Sequence, residues 1–235
     1  MKQSMILLHG LFGGLSNWTE VVRNFEDRFD VHVPELPLYE KHKGDTVEYL
    51  VDFLAAVVNS NQLEKVTLVG NSLGGHIAIR YTHRHPEKVS KLILTGSSGL
   101  YENTQVGSYL KRGDAIYIRE RVAATFYDPM MATDALVAEV MRVTTDAYKC
   151  LCTIKAAKST QRNQVLDSLP QIQIPVLLIW GTDDHITPPA VAYQFRDNLS
   201  QAKLIMLTAC GHAPMMERPA EFNGALAEFL NLQAI

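Results

Sequence analysis

Cysteine is scarce in this chain. The 235 residues hold three, Cys150, Cys152 and Cys210, which cannot all pair within one chain. Cys150 and Cys152 also stand too close in sequence for an easy bridge. A disulfide-stapled secreted scaffold is therefore excluded, and a reducing, cytoplasmic setting is expected. Long apolar runs are missing as well. No window approaches the roughly 20 apolar residues of a membrane-spanning helix. The first apolar run, Met5-Ile6-Leu7-Leu8, is far short of the roughly 7–15 residues of a secretory signal core. Neither charge sign dominates: 22 basic and 25 acidic residues leave a net charge of −3. With no like-charge block, neither nucleic acid nor a membrane is expected as a partner. No internal repeat or low-complexity tract breaks the pattern. What remains is ordinary globular usage, 47% hydrophobic and 20% charged, at a length that suits one domain or one domain with an insertion. About 70% of the unfolded surface is buried at this size, enough for a core without staples.

Short apolar runs alternate with amphipathic stretches. Strands are expected at about 5–8, 30–33, 66–69, 92–95, 175–180 and 203–207. Between them, apolar residues at three-to-four spacing predict helices. One runs from Asn17 to Phe29, with Trp18, Val21, Val22, Phe25 and Phe29 on one face. A second is capped by Asp45 or Thr46, and a third runs from about Leu73 to His85 before Pro86. Pro188–Leu199 and Pro219–Leu230 follow later. From about residue 100 to 169 helices continue without strands, as at Ala115–Phe126, Thr133–Val143 and Asp146–Ser159. The expected fold is thus α/β: a mostly parallel sheet of about six strands, covered on both faces. Residues 1–99 and 170–235 form its core, and 100–169 form a helical cap inserted after the fourth strand.

Four segments at strand ends carry candidate chemistry. Gly70-Asn71-Ser72-Leu73-Gly74 is a G-x-S-x-G pattern. Chance alone produces it in about one chain in a dozen of this length, but here it joins a predicted strand to a predicted helix. That is the setting of a nucleophile elbow, where a strained turn lifts the serine hydroxyl clear of the sheet. Gly181-Thr182-Asp183-Asp184 follows the fifth strand and offers two competing carboxylates at the sheet edge where open α/β proteins place their sites. Cys210-Gly211-His212 follows the sixth. Ser, Asp and His thus appear in the chain order of a hydrolytic triad. His9-Gly10-Leu11-Phe12-Gly13-Gly14 follows the first strand, where glycines let backbone N–H groups close on a ligand. The Leu11 and Leu73 amides stand in order and context for an oxyanion hole, in which one donor is worth about 3–4 kcal/mol. The segment lacks the spacing of a phosphate-binding loop.

On these residues the chain resembles the α/β-hydrolase fold family along essentially its whole length, with 100–169 matched only as a variable cap. The stretches that carry the likeness are His9–Gly14, Val69–Gly75, Gly181–Pro188 and Cys210–Glu217. The resemblance selects Asp184 over Asp183, because the family acid stands three residues after the glycine and Pro188 supports that register. It also places the oxyanion amides at Leu11 and Leu73. The sheet begins on the His-Gly strand, so six strands are implied where the family usually has eight. The loop Pro34-Glu35-Leu36-Pro37-Leu38-Tyr39-Glu40 lacks the glycines that family members carry there. Ser72 excludes the dehalogenase branch, which uses an aspartate nucleophile.

The activity implied is a serine hydrolase of the small esterase or thioesterase branch, with Ser72 as nucleophile, His212 as base and Asp184 as the acid that orients it. The expected partner is a small acyl substrate, with no metal and no organic cofactor, in a monomer or homodimer. Asn71 resembles the residue before the nucleophile in hydrolases that cleave carbon–carbon bonds of meta-cleavage products, which is the alternative. Ala213 and Leu11-Phe12 depart from that group. A slow-turnover ligand receptor on the same fold is the other. The cap is expected to cover Ser72, with a few of Tyr101, Tyr109, Tyr117, Phe126, Tyr127, Met130 and Met131 facing an acyl pocket. Met215 and Met216 are expected to pack, with at most one at the pocket wall. His76, His83 and His85 lack zinc spacing and read as structural or solvated. Lys149, Lys155, Lys158 and Arg162 read as a solvated helix face.

Overall fold

Six strands fold into one parallel sheet. They are β1 (Gln3–Leu8), β2 (Phe29–His32), β3 (Val66–Asn71), β4 (Val89–Thr95), β5 (Val176–Gly181) and β6 (Ala202–Leu207). The computed structural model describes residues 2–103, 111 and 113–232, with Leu15 described by its backbone only. The sheet order is β2-β1-β3-β4-β5-β6, with every neighbouring pair parallel. The order turns back on itself between β1 and β3. Open α/β sheets form a crevice at the carboxyl ends of strands where the order reverses. Leu8 pairs with Gly70, so the chain leaving β1 and the chain leaving β3 emerge side by side.

Each face of the sheet has its own core. Ile6, Leu8, Leu68, Leu92, Leu94, Leu178 and Trp180 point to one side. There they meet α2 (Thr46–Ser60), α3 (Leu73–Arg84) and α7 (Pro189–Asn198). Met5, Leu7, Val69, Ile93, Leu177 and Ile179 point to the other, against α1 (Thr19–Phe25) and a C-terminal helix at Pro219–Phe229. Alternation of two buried sets along one strand requires a sheet covered on both faces.

Between β4 and β5 lie α4 (Ala115–Ala123), α5 (Asp134–Thr145) and α6 (Ala147–Arg162), with no strand among the described residues. Ile118, Val122, Val137, Val140 and Val143 join the second core, and Ala156 and Val165 the first. Two further helices complete the chain, α8 (Pro214–Glu217) and α9, the Pro219–Phe229 helix already placed.

The first predicted helix is shorter than its periodicity implied. Asn17 accepts the Thr19 N–H at 2.8 Å and sets the start of α1 at Thr19. Trp18 therefore lies outside the helix, and Phe29 opens β2. Both stay in the same core, Trp18 against Phe222 and Phe29 against Phe25, each at 6.2 Å between ring centroids. Conversely, α6 runs three residues past Ser159 to Arg162, where the Asn163 side chain takes up the Ser159 carbonyl at 2.9 Å.

Candidate active site

The turn from β3 into α3 is strained at its serine. Ser72 has φ 54° and ψ −121°, a region that costs a non-glycine residue about 1–3 kcal/mol. Neighbouring backbone holds it there: Ser72 N–H donates to Thr95 O at 3.2 Å, and Ser98 N–H donates to Ser72 O at 3.1 Å. The flanking glycines permit the turn. A Cβ on Gly70 would lie 2.5 Å from Gly74 O, and one on Gly74 would strike the Leu8 backbone. Only hydrogen fits between the crossing strand and helix.

Asn71 is fully buried and its polar atoms are committed. Nδ2 donates to Thr95 O at 2.9 Å and to His212 O at 3.0 Å, and Oδ1 accepts from Ser16 Oγ at 2.6 Å. Ser16 Oγ in turn accepts the Gly10 N–H at 3.0 Å. One amide thus ties together the ends of β1, β3 and β4 and the histidine loop.

His212 Nδ1 lies 2.9 Å from Asp184 Oδ2. A carboxylate accepts only, so Nδ1 carries the proton. Asp184 is buried and fully engaged: Oδ1 accepts the Ile186 and Thr187 N–H groups, each at 2.9 Å, and Oδ2 also accepts from Thr187 Oγ1 at 2.8 Å. Asp183 instead accepts from Thr182 Oγ1 at 2.7 Å. Of the two candidate carboxylates, Asp184 is the one brought to the imidazole. Burial alone would lower the His212 pKa, but Asp184, with Glu102 and Glu217 further off, outweighs it and the net shift is upward.

Glu217, five residues past the histidine, clamps the loop. Its carboxylate accepts from Gly211 N–H at 3.0 Å, Ala213 N–H at 3.2 Å and Tyr127 N–H at 2.7 Å. The His212 N–H donates to Thr125 O at 2.8 Å, so the segment after α4 braces the histidine. Sequence reasoning missed Glu217, Thr187 and Ser16 as positioning groups. Thr187 has a local signal, a hydroxyl three residues after an aspartate, but Ser16 has none.

Ser72, His212, Gly10, Leu11 and Asn71 line a single cavity of about 280 Å³. Leu73 is the first residue of α3, where a helix N–H has no intrahelical acceptor. From α5 and α6 the wall includes Val143, Cys150, Thr153, Ile154 and Ala157. The expected aromatic lining is not there. Tyr101, Tyr117, Phe126, Tyr127, Met130 and Met131 lie elsewhere, because Phe126 is packed in the core while Met130, 81% exposed, faces solvent. Tyr109 lies outside the described residues. Met215 is core, and Met216 Sδ accepts the Asn17 N–H at 3.3 Å. The basic helix face is only partly solvated in function: Lys158 borders the cavity and Arg162 pairs with Asp45 at 3.3 Å.

His9 bridges two loops. Its Nε2 accepts the Leu36 N–H at 3.0 Å and its Nδ1 donates to Gly10 O at 2.7 Å. This fixes the path of the glycine-poor loop, with Leu36 and Leu38 buried. Burial lowers the His9 pKa, which suits that neutral tautomer. His76 is wholly buried, and neither ring nitrogen meets hydrogen-bond geometry, although the Asn163 backbone approaches.

The alpha/beta hydrolase fold model matches residues 3–219, and the chain belongs to that family. It is a hydrolase, in a chain whose described helices include none long and apolar enough to cross a membrane. MGS-MChE2, an alpha/beta hydrolase enzyme from the metagenome of lagoon sediments at Mar Chica, Morocco, is 36% identical with a TM-score of 0.79, over 98% of this chain and 91% of that one. A 2-hydroxy-6-oxononadienedioate/2-hydroxy-6-oxononatrienedioate hydrolase of Cupriavidus pinatubonensis is 28% identical over 97% of this chain and 86% of its own length. A pimeloyl-[acyl-carrier protein] methyl ester esterase of Nitrosomonas europaea is 28% identical over 93% and 92% respectively.

Proposed function

We propose that this hydrolase cleaves a small carboxylic ester or thioester through an acyl-enzyme on Ser72. The observation that carries the reading is His212, paired with the buried Asp184, lining one cavity with a serine held in a strained elbow. Ser72 Oγ attacks the acyl carbon as His212 Nε2 takes its proton. Asp184 holds the tautomer and stabilises the imidazolium. The Leu11 and Leu73 N–H groups receive the oxyanion. His212 then protonates the leaving group, and water attacks the acyl-enzyme with the same imidazole as base. A cavity of about 280 Å³ suits a short acyl group, with the helices of 100–169 as its cap. Three free, buried cysteines accord with a cytoplasmic setting.

A second reading, hydrolysis of a carbon–carbon bond, is favoured by the dienedioate hydrolase relative. Asn71 lends it less support than the sequence implied, since its side chain is spent on scaffolding. Steady-state hydrolysis of p-nitrophenyl esters of increasing acyl length tests the ester reading. Wild type should turn over the short esters, and Ser72→Ala should lose up to about a millionfold in kcat. Comparable turnover by the variant would refute a Ser72 acyl-enzyme. Activity confined to a vinylogous diketone acid would select the second reading.

A further inference from the structure

One carboxyl group beside His212 has no part in the steps above. Glu102 lies on the segment leaving β4 and is the single carboxylic acid in the cavity wall among the described residues. It sits in a built cradle. Its carboxyl accepts from the side chains of Ser98 and Thr160 and from the Gly99 backbone. Ser98 and Thr160 are themselves buried. Ser98 follows β4 whereas Thr160 stands on α6, so the carboxyl is pinned at the seam between sheet and cap. Next to it, Asn103 N–H donates to Ile186 O at 2.7 Å, and Ile186 N–H donates to the Asp184 that holds His212, so the Glu102 segment is tied to the histidine's own loop. Two other charged groups are close to the site. Asp184 is buried behind the imidazole, and Lys158 is exposed at the cavity's edge.

A half-buried carboxyl costs free energy that a hydrogen-bonded or charged partner offsets. His212 returns its proton to the leaving group, so the leaving alcohol lies against the histidine, in the cavity that Glu102 also lines. We infer that Glu102 selects the leaving group: the enzyme prefers esters whose alcohol carries a hydrogen-bond donor, a hydroxyl or a protonated amine, over plain alkyl esters, and rejects alcohols bearing a carboxylate. This specificity rests on the ester-hydrolase reading and refines it.

The test uses butyrate esters of ethanol, ethylene glycol, 2-(dimethylamino)ethanol and glycolic acid. Each is assayed by pH-stat with wild type and Glu102→Gln, on the alkaline plateau of each protein. Dividing variant by wild-type kcat/KM cancels the intrinsic reactivity of each ester. The substitution should cost the dimethylaminoethyl ester about tenfold more than the ethyl ester. The glycol ester should fall between them, and the glycolate ester should gain relative to ethyl. A uniform effect across all four overturns the inference and leaves ester hydrolysis standing. So does wild-type turnover of p-nitrophenyl esters without turnover of the dimethylaminoethyl ester. No turnover of any ester, p-nitrophenyl esters included, overturns the underlying reading instead. If Glu102→Gln does not fold, inhibition of wild-type p-nitrophenyl acetate hydrolysis decides. Free 2-(dimethylamino)ethanol should inhibit at about tenfold lower concentration than 3-methyl-1-butanol or glycolate, and equal inhibition by the three overturns the inference.

Discussion

Asp184 illustrates how much of a proposed catalytic residue is its surroundings. The Ile186 and Thr187 amides and the Thr187 hydroxyl hold the carboxylate, leaving Oδ2 aimed at His212 Nδ1. The raised His212 pKa sets a pH dependence with a definite sign. The imidazole acts as base only when neutral, so kcat/KM falls as pH drops through that raised value. The acid limb should therefore lie above the ordinary histidine value of about 6.5. Asp184→Asn should lower kcat by about 10⁴-fold and move the limb to lower pH, both read from one pH–rate profile. A limb that stays in place would separate Asp184 from the titration of His212.

At the scale of elements, α6 is bound to α2 through helix termini. Asp45 is the N-cap of α2, and its Oδ1 accepts the Val47 and Glu48 N–H groups at 2.9 and 3.3 Å. The same carboxylate receives Ser159 Oγ at 2.6 Å and Asn163 Nδ2 at 2.9 Å from the end of α6. Burial opposes its ionisation, but these donors and Arg162 win, and its pKa is lowered. One side chain thus starts α2 and anchors the end of α6. Asp45→Ala should cost about 1–2 kcal/mol in chemical denaturation, at the upper end for a lost N-cap. Because α6 carries Thr153, Ile154 and Ala157 of the cavity wall, KM should rise more than kcat falls. A KM unchanged at that loss of stability would detach the anchor from substrate binding. The sequence of 100–169 announced helices by periodicity but not this attachment. Asp45 and Ser159 lie 114 residues apart, and no local pattern encodes the pairing.

For the whole molecule, the wholly buried His76 ties stability to pH. Desolvation lowers its pKa to about 4, so it stays neutral in the folded chain when the unfolded chain has already taken a proton near pH 6.5. Stability from this residue is then complete above about pH 6.5 and lost as pH falls towards 4, by about 3 kcal/mol in all. His76→Leu removes the titration together with two unpartnered nitrogens. Its stability at pH 8 should stay within about 1 kcal/mol of wild type, and its decline between pH 6.5 and 4.5 should be shallower in guanidinium titrations. An identical decline would assign the acid sensitivity to other groups.

What the sequence determined by itself is what short-range physics controls. Runs such as Val66–Val69 bury on both faces of a sheet and read as strands, and three-to-four spacing marks helices. Steric demands confine the positions flanking Ser72 to glycine, so the elbow is visible as a five-residue pattern. Boundaries set by a single side chain, such as Asn17 at the start of α1, shifted by two residues. Local pattern left two adjacent aspartates open and the family likeness selected Asp184; the tertiary structure brings that one to His212, since one residue of offset turns a side chain to another direction. It decided that Asn71 is a strut and that Ser16, Glu217 and Glu102 belong to the site. It also gave the cavity wall to Val143, Ile154 and Ala157 in place of the aromatics of 100–169. These outcomes depend on contacts between segments dozens of residues apart, which exist only after the sheet has brought the strand ends together.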